Sequence, residues 1–341
     1  MSKSFRIAVT SDPFIPVPPA NYGGIERIIH FLVEGLNARG HEVALVAHPD
    51  SAVSSKLIPY AIRQEGISAH ISNVTNINKL KAFKPDIIHS FSRLAYLLPF
   101  MLSNVPKLMS YQREPTISQI RKAIKFSRKG TLSFSGCSDY ISSKIKPYAS
   151  TYTVYNGIDL NIYNFKSYVP EDAALVFLGR VEPVKGPHIA VRAALATNKP
   201  LIIAGNIPKE YESFFKSEIE PHLNEKIRYV GPVNDSQKNE LLGKALAFLM
   251  PIEWEEPFGI VMAEALACGT PVIGYGRGAV PEIVTHGING YIAQGFDELC
   301  DFINSAAKLD RISARRSAET RFSSDVIVDE YIKVYRSLIK T

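Results

Sequence analysis

Short apolar runs rich in β-branched residues alternate with helix-forming stretches along this chain, and after Asn156-Gly157 the rhythm starts over. The runs at 6–10, 43–47, 86–89, 107–111, 131–135 and 152–155 read as strands of a first sheet. Those at 174–178, 201–204, 227–230, 246–250 and 272–274 read as strands of a second. Strands separated by helical stretches pair in parallel, because the crossover helix returns the chain to the same end of the sheet. At 341 residues the chain exceeds one ordinary core, and two domains of about 150 residues are expected. The expected division is 1–156, 157–324 and a closing helical segment 325–341, with a first crossover helix at 25–39 ended by Gly40. The fold class is α/β: two doubly wound, Rossmann-like domains facing each other across a cleft, where the C-terminal strand ends of such sheets bind ligands.

Composition narrows the function. Hydrophobic residues make up 46% and charged residues 21%, as in a soluble globular protein. No apolar run approaches the ~18 residues of a membrane span. Met1-Ser2-Lys3-Ser4 leads straight into a strand with no cleavable apolar region, so a cytoplasmic protein is expected. Cys137, Cys268 and Cys300 are widely spaced, as befits reduced packing thiols. Residues 1–158 hold 19 Lys and Arg against 9 Asp and Glu, or +10, while the remainder holds 20 against 24, or −4. A basic first half attracts anionic acceptors or the surface of an anionic membrane. Its densest stretch is Arg121 to Lys129, either a solvated surface helix or an interfacial one. Nucleic acid is not expected as a partner, since no zinc spacing, RNP motif or helix-turn-helix pattern accompanies the charge.

The chemistry gathers in the second half. Glu256 and Glu264 flank a helix start; helical rise would set them roughly 12 Å apart, about the span of a diphosphate with a sugar at each end. Carboxylates accept strong hydrogen bonds from diols, and the amides of Phe258, Gly259 and Ile260 at a helix start favour an anion. Two isolated glutamates at this spacing would otherwise be a helix-start acid and a solvated helix residue. Arg180 and Lys185 follow the strand at 174–178, where a guanidinium fork and an ammonium can clamp phosphates. Gly23 and Gly24, between a strand and a helix, allow a ligand close to the backbone or simply make a tight turn. Gly274, Gly276 and Ala279 form G-x-G-x-x-A, but too near the C-terminus to begin a dinucleotide domain. Trp254 serves either sugar or base stacking, or loop packing. No Asp-x-Asp occurs in the chain, so no metal is expected as a cofactor.

These segments carry a family resemblance over nearly the whole chain. Glu256-Pro257-Phe258-Gly259, Glu264-Ala265, Cys268-Gly269-Thr270-Pro271-Val272 and Gly278-Ala279-Val280-Pro281-Glu282 together resemble the signature of retaining glycosyltransferases of family 4, which have the GT-B fold. Gly179-Arg180-Val181-Glu182-Pro183-Val184-Lys185-Gly186 resembles that family's phosphate-binding Arg and Lys. Tyr22-Gly23-Gly24-Ile25-Glu26 resembles its N-terminal glycine loop, and Asn156-Gly157-Ile158-Asp159 its interdomain junction.

The resemblance implies a hexosyl-type transferase using a UDP- or GDP-sugar donor and a glycan, lipid-linked or small-molecule acceptor. Arg180, Lys185 and Glu256 would be its catalytic residues. Glu264, Phe258, Gly259, Ile260 and Gly179 would bind the donor, and Gly23, Gly24, Gln112 and Arg113 would form the acceptor or phosphate loop. The final helix would cross back onto the first domain. One departure stands out: where many relatives have a histidine after the strand at 107–111, this chain has Gln112, which hydrogen-bonds but takes up no proton at neutral pH. The rival readings are an epimerase or phosphorylase of the same fold, a catalytically idle nucleotide-sugar-binding protein and, more remotely, a nicotinamide dehydrogenase.

Overall fold

The computed structural model describes residues 4–19, 23–61 and 67–339. The chain divides into two units, one formed by the described residues up to Gly157 together with Ser324 onward, the other by Ile158–Ser323.

The first unit runs β1 (Arg6–Thr10), α1 (Gly24–Ala38), β2 (Glu42–Ala47), β3 (Lys56–Pro59), α2 (Ile67–Ile77), α3 (Leu80–Phe83) and β4 (Ile87–Ser90). A 3-10 segment (Leu94–Phe100) leads to β5 (Lys107–Tyr111), α4 (Ile117–Phe126), β6 (Leu132–Gly136), α5 (Asp139–Ile145) and β7 (Thr151–Thr153). The sheet order is β3-β2-β1-β4-β5-β6-β7, and every paired neighbour is parallel. The order reverses at β1 and β4, where Ala8 lies between Ala44 and Ile88. Such a reversal leaves a crevice beyond the strand C-termini.

The second unit contains β8 (Leu175–Leu178), α6 (Pro187–Thr197), β9 (Leu201–Ala204), α7 (Glu212–Glu218), β10 (Ile227–Tyr229), α8 (Asp235–Lys244) and β11 (Phe248–Met250). It continues with α9 (Ile260–Ala267), β12 (Val272–Tyr275), α10 (Val280–Ile283), β13 (Gly290–Ala293), α11 (Phe296–Asn304) and α12 (Arg311–Arg321). Its order, β10-β9-β8-β11-β12-β13, repeats the first pattern with the reversal at β8 and β11. Two edge strands escape the sequence reading. Each is only four residues long, and Pro59 at the end of β3 and Gly290 at the start of β13 are residues that argue against a strand.

The last helix, α13 (Ser324–Ile339), buries Ile327, Val328, Tyr331, Ile332, Val334 and Tyr335 within the first unit, against α1 and β4. Gly35 makes this approach close: a Cβ there would stand 2.6 Å from Val328 Cγ2. The same helix closes a polar network. His89 Nδ1 lies 2.6 Å from the Tyr335 hydroxyl and Nε2 lies 2.6 Å from Ser110 Oγ, which in turn contacts Ser135 and the Tyr331 hydroxyl. His89 is fully buried, and burial lowers its pKa to about 3, so the imidazole is neutral. Histidine at this strand end is therefore a satisfied core residue tying β4, β5 and α13 together. Among the described residues no helix is long and apolar enough to cross a membrane.

Candidate active site

At the reversal point of the second sheet, β8 and β11 are adjacent, and the loops that follow them carry the sequence-predicted residues. After β8, Pro183–Lys185 form a 3-10 turn, and Gly186, with φ 75, hands the chain to α6. Only glycine fits there, since φ is left-handed and a Cβ would run into the Pro251 carbonyl. The turn aims Lys185 at the loop after β11. Its Nζ donates to Glu256 Oε2 at 2.8 Å, and Trp254 Nε1 donates to the same oxygen at 3.0 Å. The ammonium also sits 4.5 Å from the centroid of the Trp254 ring. Glu256 is 8% exposed, so its carboxylate is held rather than left to sample solvent. The glycine motif at 274–278 does not open a dinucleotide domain. It braces the Glu256 loop: Ala279 N–H donates to the Glu256 carbonyl at 2.8 Å and Gly278 N–H to Glu255 Oε2 at 2.6 Å.

Arg180 is placed differently. Its guanidinium lies 2.9 Å from Glu182 Oε1, at ion-pair distance without hydrogen-bond geometry, and it remains half exposed. The backbone around it is fixed by Gly179 N–H to the Ala204 carbonyl and Val181 N–H to the Asn206 carbonyl, both 3.0 Å. Arg180 thus pairs with Glu182, while Lys185 pairs with Glu256.

α9 begins at Ile260, with Gly259 as its N-cap at φ 76. Glu256 therefore precedes the helix, and the fold of the loop, not helical rise, sets its separation from Glu264; the spacing inferred from sequence does not apply. Glu264, within α9, is 5% exposed. Its Oε1 accepts the Tyr163 hydroxyl and Lys238 Nζ, each at 2.6 Å, while its Oε2 is buried without a hydrogen-bond partner. The Phe258 ring is buried edge-on against Phe322, so its side chain serves the core. Trp254, Tyr163 and Lys238 were not readable as carboxylate partners. Tyr163 and Lys238 lie 101 and 26 positions from Glu264, and nothing in the local sequence announces the contacts.

In the first unit, Gly24 opens α1 after an extended Gly23, and Tyr22 of the glycine motif lies outside the described residues. Glu26 in the first turn is buried, and its carboxyl is pushed upward by burial and by nearby Asp12, opposed by its own backbone hydrogen bond and by Arg113. Asp12 in the loop after β1 and exposed Arg113 in the loop after β5 thus both act on the start of α1 through their charge. Gln112 follows β5, and both polar atoms of its carboxamide are buried with no partner among the described residues. No cluster of three His, Cys, Asp or Glu among the described residues forms a metal-ligand set.

Two parallel sheets of this order, each reversing once, are those of the GT-B fold. The glycosyltransferase AviGT4, involved in avilamycin A biosynthesis, superposes with a TM-score of 0.72 at 22% identity, covering 98% of both chains. Anabaena Alr3699/HepE, crystallised with UDP and glucose, superposes at 0.73 with 19% identity over 98% of this chain and 100% of that one. Residues 163–321 match the family described as Glycosyl transferases group 1, and residues 22–118 match Glycosyltransferase Family 4. The chain thus carries a glycosyltransferase domain of each description, family 4 in its first half and group 1 in its second. A full-length relative is Spore coat protein SA of Bacillus subtilis (strain 168), 24% identical over 97% of this chain and 99% of that protein.

Proposed function

We propose that this glycosyltransferase moves a hexosyl group from a UDP- or GDP-sugar to a hydroxyl acceptor, with retention of anomeric configuration and without a metal. The observation that carries the proposal is the Lys185–Glu256 pair at the sheet's reversal point, fixed by Trp254 and followed by Glu264 with one unpartnered oxygen. Arg180 and Lys185 offset the charge that builds on the departing diphosphate, the main electrostatic demand of the reaction. Glu256 orients hydroxyls of the transferred sugar, and Glu264 Oε2 accepts from the ribose diol. The first-turn amides at Phe258, Gly259 and Ile260 favour the diphosphate.

In the reaction, the bond from the anomeric carbon to the diphosphate oxygen breaks and a bond to the acceptor oxygen forms on the same face. The acceptor proton passes to the departing diphosphate, so no protein base is required. Gln112, with a free carboxamide, can hydrogen-bond a sugar hydroxyl but not remove its proton. Gly23, Gly24 and Arg113 belong to the acceptor or phosphate loop. The UDP bound by HepE, a structural neighbour, supports a nucleoside diphosphate donor. The +10 charge of residues 1–158 supports a lipid-linked or otherwise anionic acceptor, with the enzyme working in the cytoplasm in peripheral contact with an anionic membrane.

The test is release of free diphosphate from a panel of nucleoside diphosphate sugars without added metal. Release from one donor, lost in Glu256→Ala and Lys185→Ala variants that still melt cooperatively, is expected. Undiminished release in either variant would remove the assignment. Tight donor binding without turnover, with any acceptor supplied, would favour an idle nucleotide-sugar-binding protein.

A further inference from the structure

We propose that one end of the first unit, around the starts of β5 and β6, docks on an anionic lipid surface. Between Glu114 and Asp139 the chain holds five cations, Arg121, Lys122, Lys125, Arg128 and Lys129, and no acid. α4 turns Ile120 and Ala123 inward and leaves Arg121, Lys122, Lys125 and Phe126 exposed. At helical spacing the three cations form one stripe with Phe126 along its border. Among the described residues none of the five cations lies within ion-pair distance of a carboxylate.

Apolar groups stand beside this charge. Phe126 is 66% exposed and Leu102 78%. The Arg128 N–H donates to the Met101 carbonyl at 2.8 Å, which sets the end of α4 against the turn that carries Leu102. Buried Lys107 holds that turn, its Nζ donating to the Phe100 and Ser103 carbonyls at 3.0 Å, so Leu102 projects from a fixed backbone. On the same side of the chain, Phe100 and Ser103 also line a groove of about 400 Å³ with Arg6, Lys81 and Lys84.

Exposed aliphatic and aromatic tips rising from a cationic field match an anionic bilayer, into which the tips insert while the cations meet lipid phosphates. A nucleic acid would match the charge but give Leu102 nothing to bury in. The contact deepens the membrane association included in the proposed function and is independent of the transfer chemistry. α4 runs back from the loop that carries Gln112 and Arg113, so docking at its far end leaves that loop free.

The test is sedimentation of the purified protein with vesicles of phosphatidylcholine alone and of phosphatidylcholine with phosphatidylglycerol. Binding only to the anionic vesicles, weakened by salt, is expected. Lys122→Gln and Lys125→Gln should each weaken it about fivefold. Leu102→Ser with Phe126→Ser should weaken it about tenfold while the melting temperature stays the same. Diphosphate release measured without vesicles should be unchanged in all four substitutions, which separates this contact from the transfer reaction. Absence of binding, equal binding to neutral vesicles, or variants that bind like wild type would each overturn the proposal, as would retention of RNA in place of vesicles.

Discussion

Lys185 and Glu256 stand 71 positions apart in the chain and 2.8 Å apart in space, joined because β8 and β11 are neighbours in the second sheet. The pair is part-buried, and Trp254 shares the same carboxylate oxygen. A carboxylate so held presents its other oxygen in a fixed direction, which is what orienting a sugar hydroxyl demands. The sheet's topology, by setting two distant loops side by side, brings the pair together.

Trp254→Phe keeps an aromatic face under Lys185 and removes only the donor to Glu256. A hydrogen bond to a charged group contributes about 1.5–3 kcal/mol, so turnover should fall roughly ten- to a hundredfold. Steady-state kinetics on the identified donor should show the loss in kcat with a smaller change in KM. Unchanged kcat would mean that Lys185 alone positions Glu256.

Glu264 is fixed through Oε1, while its buried Oε2 has no partner. Lys238→Met should therefore loosen the carboxylate and weaken nucleoside diphosphate binding about tenfold, the effect of losing one charge-assisted bond. Glu264→Gln should narrow the preference for ribose over 2′-deoxyribose nucleotides. Calorimetry with both nucleotide types reads this directly. An unaltered preference would place the diol elsewhere.

Burial lowers the His89 pKa to about 3, against 6.5 in the unfolded chain. The folded state resists taking up a proton that the unfolded state binds, so this stabilisation is complete above pH 6.5 and is lost as pH falls toward 3. Between pH 7 and 5 the loss from this one group is about 2 kcal/mol. Urea titrations at the two pH values should show it in wild type and a smaller pH slope in His89→Phe. Equal slopes would mean that His89 is accessible to protons in the folded state.

Gly35→Ala sets a methyl 2.6 Å from Val328 and should destabilise the protein by about 1–3 kcal/mol. Val328→Ala, itself a cavity-forming change, should cost less in the Gly35→Ala background than alone. A double-mutant cycle on thermal melts measures the coupling. Additive effects would mean that α13 shifts to make room.

Much of this fold was legible in the chain. The run from Ile7 to Val9 and the run from Leu201 to Ala204 are buried on both faces, so their composition alone marks parallel strands. Lys56–Pro59 and Gly290–Ala293 were not legible, because edge strands are made by the neighbour they pair with. Arg180, Lys185, Glu256 and Glu264 could be singled out as candidates by type and spacing, but their pairings could not.

What the sequence by itself determined is the alternation of strand and helix, the restart after Gly157 and the glycines and prolines at which loops must turn. Those are local properties, set by backbone sterics and the periodicity of apolar residues. Only the tertiary structure decided that Lys185 meets Glu256 rather than Arg180 doing so, that Tyr163 and Lys238 occupy one oxygen of Glu264, and that His89 is a core residue bonded to Tyr335. Each of those contacts joins residues dozens to hundreds of positions apart. Strand order and burial choose such partners, and no local pattern encodes them.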